Sequence, residues 1–85
     1  MKHVTIYTRA FCGYSARAIK LLKTKNIPHT EIDAGMDAKA KAEMIKRSNG
    51  GRTFPQIFIG EQHIGGCDEM MALERGGKVD ALLAD

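Results

Sequence analysis

Apolar and polar residues alternate at the start of the chain and then change to a helical period. Residues 3–8 read HVTIYT, which places Val4 and Ile6 on one side of an extended strand. From residue 13 to residue 26 the apolar positions recur with the spacing of an amphipathic helix. Pro28 prevents this helix from continuing, because proline disfavours the α conformation in the residue before it. The chain therefore predicts a strand followed by one helix.

The pattern next predicts a second strand and a second helix. Residues 29–33 (HTEID) form a short extended segment, which completes a β-α-β unit with parallel strands. Asp37 is placed to cap a helix that runs to about Ser48. The Asn-Gly-Gly sequence at residues 49–51 ends this helix, because these residues tolerate the left-handed conformation.

The last third of the chain predicts a hairpin and further helices. Residues 56–59 and 62–64 are short strands on either side of a Gly-Glu turn. Asp68 is placed to cap a third helix, which the glycines at 76–77 end, and a short helix follows. The order β-α-β-α-β-β-α predicts an α/β fold with one mixed, four-stranded sheet against which the helices pack.

Composition is that of an ordinary globular domain. The 85 residues are 44% hydrophobic and 27% charged, so we expect one domain over residues 1–85. The net charge of +3 comes from basic residues scattered among acids, which predicts no nucleic-acid partner and mildly favours anionic small molecules. Because no apolar run is long enough for a membrane span and no secretory signal is evident, we expect a cytoplasmic protein without a membrane partner.

The two cysteines differ in their local context. Cys12 lies where a strand should end and a helix begin, so unpaired N–H groups and the helix dipole favour its thiolate. The dipole contributes at most about 2 kcal/mol, and Arg9 is a cation close enough in sequence to add to it. We interpret Cys12 as a reactive thiol and Cys67 as a small wall residue. No histidine stands at zinc-site spacing from either cysteine, so no metal site is expected.

Ser15 stands where a C-x-x-C redox motif would carry its second cysteine. It cannot form a disulfide, and its hydroxyl either satisfies the start of the helix or contributes to catalysis beside Cys12. Tyr14 is either an exposed ring next to the thiol or a packing residue. C-x-x-S alone is a weak motif, so other segments must supply the specificity.

Two later segments carry further candidates. In Thr53-Phe54-Pro55, a cis bond before the proline would turn neighbouring backbone groups outward to bind an extended peptide, and a simple turn is the alternative. The glycines at 65–66 permit close backbone approach. Asp68 either caps a helix or receives the ammonium group of a ligand.

Three segments of the chain together resemble those of the glutaredoxins, and most closely the small bacterial glutaredoxin 3 type. They are residues 7–15 with Tyr-Thr-Arg before Cys-Gly-Tyr-Ser, residues 53–59 (TFPQIFI) and residues 64–68 (IGGCD). The resemblance covers nearly the whole chain in the family's order and spacing. It implies a thioredoxin-like fold with helices on both faces of the sheet, and glutathione as reductant in a groove beside Cys12.

The resemblance also implies a role for each candidate residue. Cys12 would form a mixed disulfide with the glutathione sulfur, Tyr14 would flank that sulfur, and Arg9 would hold the glycine carboxylate. The remaining glutathione contacts would come from Thr53, Phe54 and Pro55 for the cysteinyl part and from Gly66, Cys67 and Asp68 for the γ-glutamyl end.

Two departures from the family pattern bear on the reaction. With Ser15, a one-thiol route remains open, in which a second glutathione reduces the enzyme; the two-thiol route is closed unless Cys67 substitutes. We therefore expect a monomeric glutathione-dependent thiol–disulfide oxidoreductase that acts on glutathionylated proteins. Gly13, in place of the usual proline, implies the alternative of a dimeric carrier that ligates a [2Fe–2S] cluster through Cys12 and glutathione. An engineered cysteine-to-serine trap would have the same sequence.

Overall fold

The computed structural model describes residues 1–84, in which four strands form one mixed sheet. The strands are β1 (Val4–Thr8), β2 (His29–Asp33), β3 (Gln56–Ile59) and β4 (Gln62–Gly65), and the helices are α1 (Gly13–Thr24), α2 (Ala38–Arg47), α3 (Cys67–Arg75) and α4 (Lys78–Leu83). The strand order is β2-β1-β3-β4, with β1 parallel to β2 and the other pairs antiparallel. The predicted α/β fold with a four-stranded mixed sheet is confirmed.

Helices cover both faces of the sheet, as a thioredoxin-like fold requires. On one face α1, α3 and α4 pack on β1 and β3 through a core that includes Val4, Ile6, Ala18, Leu22, Ile57, Ile59, Met70, Val79 and Leu83. On the other face α2 packs through Ala40 and Met44 against Tyr7 and Phe58. Because β1 and β3 are the central strands and are covered on both faces, successive residues that point to opposite faces are both buried, as are Ile6 and Tyr7 in β1 and Ile57 and Phe58 in β3.

Tyr7 ties the second helix to the centre of the sheet. Its ring is buried and its hydroxyl donates to Glu43 Oε1 at 3.0 Å and accepts from Arg47 Nη1 at 2.9 Å, both on α2. Burial raises the pKa of the Tyr7 hydroxyl, and its contact with Glu43 adds to that rise against the opposing effect of Arg47. Glu43 and Arg47 thus provide hydrogen-bond partners for the hydroxyl oxygen, the only polar side-chain atom of the buried Tyr7.

Helix ends depart slightly from the predicted bounds. Asp37 caps α2 as predicted, since its Oδ1 accepts from the N–H groups of Lys39 and Ala40 at 3.0 and 3.1 Å. Helix α1 ends at Thr24 instead of residue 26, because Asn26 takes the left-handed conformation with φ 57°. The longest helix has 12 residues, and within residues 1–84 none is long and apolar enough to cross a bilayer.

The predicted capping of the third helix by Asp68 is wrong. Helix α3 begins at Cys67 with Gly66 as its N-cap, so Asp68 lies inside the first turn. The Glu69 carboxylate accepts from the Gly66 N–H at 2.6 Å and takes over the local capping role. With Gly66 as N-cap in an extended conformation, the helix starts two residues earlier than it would with Asp68 as its cap.

Candidate active site

Cys12 lies at the junction of β1 and α1, as the strand-to-helix pattern predicts. It is the N-cap residue of α1, with extended backbone angles, and its carbonyl accepts from the Ala16 N–H at 3.0 Å. The thiol is partly exposed and its Sγ lies 4.0 Å from the Phe54 carbonyl oxygen. A nucleophilic sulfur at this position faces solvent and the N-terminal N–H groups of the helix at the same time.

The surroundings of Cys12 favour its thiolate. Partial burial by itself raises the pKa of the Cys12 thiol, but hydrogen bonding outweighs it and leaves the pKa below the ordinary value. The Ser15 hydroxyl and N–H, the Arg9 side chain and the Tyr14 N–H each stabilise the anion, in that order. Two of these four contacts are backbone N–H groups of the first turn of α1, which the sequence predicted from the helix position.

The Ser15 side chain is buried behind the thiol. It is 2% exposed, and its Oγ has no hydrogen-bond partner among the residues that the structure describes. A buried hydroxyl without a hydrogen-bond partner is energetically costly, and this cost is present while Cys12 is a neutral thiol. Ionised Cys12 offers an acceptor for that hydroxyl, which is why Ser15 is the strongest single contributor to the thiolate.

A groove of about 240 Å³ opens beside Cys12. It is lined by Tyr14, Thr53, Phe54, Pro55, Gly66, Cys67, Asp68 and Glu69. This volume is below the roughly 300–1,000 Å³ of pockets that enclose small ligands, so a peptide-sized ligand would lie across the groove with one side in solvent. The Phe54–Pro55 peptide bond is cis, which is the first of the two possibilities that the sequence left open for Pro55.

The structure brings nearly all of the sequence-predicted candidates together. Tyr14 is 56% exposed at the groove, so it is an exposed ring and not a packing residue. Arg9 lies just outside the lining residues, with its guanidinium carbon 5.8 Å from the centre of the Phe54 ring. Sequence reasoning missed Glu69, whose position three residues after the N-cap Gly66 is the available signal.

Cys67 has the environment of a wall residue. It is buried at the start of α3, and burial raises the pKa of its thiol despite the opposing field of Arg17. Of the two thiols, only Cys12 is therefore both accessible and biased toward the thiolate.

The described residues contain no cluster of three or more His, Cys, Asp or Glu side chains that could hold a metal ion. One chain offers one accessible thiol at the groove, Cys12, whereas iron–sulfur clusters are typically held by four cysteine ligands. The iron–sulfur alternative therefore stays a prediction about a dimer that a single chain does not test.

Comparison with known proteins gives a consistent result. The family model described as Glutaredoxin matches residues 4–64. Glutaredoxin 3 of Escherichia coli strain K12 is 48% identical over 83 residues, which are 98% of this chain and 99% of that protein.

Solved structures agree with the sequence comparison. The solution structure of a glutaredoxin from Brucella melitensis superposes with a TM-score of 0.83 at 53% identity, covering 98% of this chain and 89% of that one. The crystal structure of a buckwheat glutaredoxin–glutathione complex superposes with a TM-score of 0.81 at 34% identity, covering 94% of this chain and 74% of that one.

Proposed function

The chain belongs to the glutaredoxin family of thiol oxidoreductases, and on that premise we propose that it reduces glutathione mixed disulfides through Cys12 alone. The observation that carries the proposal is the pairing of one accessible thiol of lowered pKa with a buried serine where a second active-site cysteine would stand. A serine cannot resolve a mixed disulfide, so the resolving thiol must come from solution.

The groove next to Cys12 supports glutathione as the ligand. The carboxylates of Asp68 and Glu69 are acceptors suited to the ammonium group of the γ-glutamyl end, and the N-terminus of α3 suits its carboxylate. In this proposal the backbone of Phe54, next to Pro55, pairs with the cysteinyl part, and the exposed guanidinium of Arg9 suits the glycine carboxylate. The buckwheat glutaredoxin–glutathione complex, which has the same fold, also supports glutathione as the ligand.

The proposed reaction has two exchange steps. The Cys12 thiolate attacks the glutathione sulfur of a glutathionylated protein; the new disulfide joins Cys12 to glutathione, and the protein leaves as a thiolate that takes a proton from water. The thiolate of a second glutathione then attacks the glutathione sulfur on the enzyme. Oxidised glutathione leaves and the Cys12 thiolate is restored. The low pKa of Cys12 helps in both steps, because it increases the thiolate fraction in the first and improves the leaving group in the second.

Mass spectrometry after incubation with oxidised glutathione tests the proposal directly. We expect one glutathione adduct, mapped to Cys12, in the intact protein and in Cys67→Ser, and no adduct in Cys12→Ser. Turnover of a glutathionylated peptide with excess glutathione should persist in Cys67→Ser, whereas reduction of a substrate that requires two thiols should be weak. An adduct on Cys67, or a disulfide between the two cysteines, would contradict the one-thiol route.

A further inference from the structure

Gln56 is a buried amide that lies directly behind the groove. It is the first residue of β3 and is 4% exposed. Its Nε2 donates to the carbonyl oxygen of Thr53 at 3.0 Å and to Thr53 Oγ1 at 3.1 Å. Its Oε1 accepts from Nε2 of His63, on the neighbouring strand β4, at 2.6 Å. The amide therefore connects the edge of the sheet to a residue that lines the groove.

The chemistry of the partners determines the direction of these hydrogen bonds. The Thr53 carbonyl can only accept, so the nitrogen of the Gln56 amide must face it and the oxygen must face His63. His63 must then carry a hydrogen on Nε2. Because the amide nitrogen also donates to Oγ1, the hydroxyl hydrogen of Thr53 is free to point away from Gln56.

His63 is itself held in place by ring packing. Its ring lies 5.0 Å from the ring of Phe58, tilted by 32°, and Phe58 is its cross-strand partner. On the same aromatic ring, the guanidinium carbon of Arg47 lies 4.4 Å from the centroid. A buried aromatic therefore anchors the donor that orients Gln56.

We propose that Gln56 is a positioning residue, which clasps Thr53 so that its hydroxyl presents a donor to a ligand in the groove, and that His63 sets the direction of the clasp. The proposal rests on the proposed glutathione site, since it assigns hydrogen-bond polarity to one wall of that site. Gln56 itself contacts no reacting atom and acts through Thr53. A preorganised donor lowers the entropic cost of ligand binding, so its loss weakens binding more than chemistry.

Two substitutions of Gln56 separate polarity from space filling. Gln56→Met keeps the volume and removes all three side-chain hydrogen bonds of Gln56. Because Thr53 is then no longer held, we expect the KM for a glutathionylated peptide to rise by about 5-fold, while kcat stays within about 2-fold of that of the unchanged protein. Gln56→Glu keeps the volume and the acceptor for His63 but places an oxygen against the Thr53 carbonyl and reverses the Thr53 hydroxyl. It should raise KM at least as much as Gln56→Met. Gln62→Met, on the exposed edge strand, is the matched control and should leave KM unchanged.

A second pair of measurements remains informative even if the Gln56 variants fold poorly. His63→Phe preserves a ring on Phe58 and removes the donor, and should raise KM in the same direction as Gln56→Met but by less. Nitrogen chemical shifts of the intact protein should show hydrogen on Nε2 of His63, the tautomer that the clasp requires.

The outcomes also distinguish this proposal from the proposed function. If Gln56→Met and Gln56→Glu leave KM unchanged while Cys12→Ser abolishes turnover, the positioning role is wrong and the one-thiol reaction stands. A His63 tautomer with hydrogen only on Nδ1 would equally overturn the clasp. If the intact protein forms no glutathione adduct, the proposed function itself fails, whatever the Gln56 variants do.

Discussion

At the scale of single residues, the turn around Cys12 contains two features that do not stabilise the free protein. Phe11 is fully exposed and takes a left-handed backbone conformation with φ 57°, which is unusual for a bulky side chain. Ser15 buries a hydroxyl without a partner among the described residues. Local costs of this kind concentrate at functional sites, and both features lie within three residues of the nucleophile.

Ser15→Ala should raise the pKa of Cys12, because the serine hydroxyl is the largest contribution that stabilises the thiolate. The pH dependence of alkylation by iodoacetamide measures this, and the midpoint should move to higher pH than in the unchanged protein. Arg9→Gln should move it in the same direction by less, since Arg9 is exposed and screened. An unchanged midpoint in Ser15→Ala would contradict the assigned cause.

Ser15→Ala should also affect stability differently at low and at high pH. A thiol whose pKa is lowered on folding stabilises the fold above its unfolded pKa, and this contribution is lost as the pH falls through the folded pKa. Well below that pKa, Ser15→Ala removes an unsatisfied buried hydroxyl and should stabilise the protein by about 1 kcal/mol. At alkaline pH that gain should shrink or reverse. Urea unfolding across this pH range is the measurement.

Phe11→Asn should stabilise the protein, because asparagine adopts the left-handed region at much lower cost than phenylalanine and the exposed ring contributes no packing. The expected gain is about 1 kcal/mol in the free energy of unfolding, which corresponds to a rise in Tm of about 4–8 °C for a domain of this size. Phe11→Ala is the matched control: it removes the same ring but keeps the strained conformation, so it should give no gain. Equal Tm values for the two variants would show that the backbone conformation carries no cost.

At the scale of elements, local patterns predicted the bounds of β2 and β3, since each strand is flanked by breakers such as proline and glycine. The start of α3 was predicted less well because two cap signals compete there, Asp68 and the pair Gly66 and Glu69. The Gln56–His63 contact was beyond sequence reasoning. It is a diagonal contact across the hairpin, since His63 pairs with Phe58, two residues after Gln56 on the same face of β3, and it depends on which way the Gln56 amide is turned.

Gly65→Ala should be strongly destabilising, because this glycine joins β4 to α3 in a conformation that only glycine adopts readily. Its φ is +114°, and an added Cβ would lie 2.8 Å from Oε1 and 3.0 Å from Cγ of Glu69. The side chain that bonds the Gly66 N–H would have to move, so the start of α3 would be lost together with the turn. We expect a loss of about 2–3 kcal/mol in urea unfolding.

Gly76→Ala at the other end of α3 is the matched control for that prediction. Its φ is −86° and the nearest heavy atom to an added Cβ is the Leu73 carbonyl oxygen at 3.7 Å, an ordinary contact. Alanine there reduces the freedom of the unfolded chain, so the change should be neutral or stabilising by up to about 1 kcal/mol. If both alanine variants were equally destabilised, the loss would reflect glycine replacement in general and not the Gly65 conformation.

At the scale of the whole molecule, helix α1 links the reactive thiol to an ion cluster at its opposite end. Cys12 caps the N-terminus of α1 and Lys25 follows its C-terminus. Lys25 Nζ lies 2.7 Å from Oε1 of Glu74 on α3 and 3.1 Å from Oδ1 of Asp80 on α4. One lysine thus joins the three helices that cover the same face of the sheet.

Lys25→Met should lower Tm. The decrease in Tm should depend on salt concentration and pH, because it comes from lost ion pairs and not from lost packing. Glu74 first, and Asp80 with it, raise the pKa of the Lys25 amine. A lysine with a raised folded pKa stabilises the fold below its unfolded pKa, and this is lost as the pH rises through the folded value. The Tm difference from the unchanged protein should therefore be full at neutral pH and shrink at strongly alkaline pH or high salt.

The exposed Lys23 on the same helix provides the control that decides whether the cluster or the general charge of α1 matters. Lys23→Met removes one positive charge from the last turn of α1, so any effect through the helix dipole is common to both variants. If the cluster orients α1, Lys25→Met should also raise the alkylation midpoint of Cys12, since a tilted helix directs its N–H groups away from the sulfur, whereas Lys23→Met should not. A midpoint that moves equally in both variants would assign the effect to net charge. If the midpoint moves in neither variant, β1 and the turn at Cys12 hold the thiol in place without help from the ion cluster around Lys25.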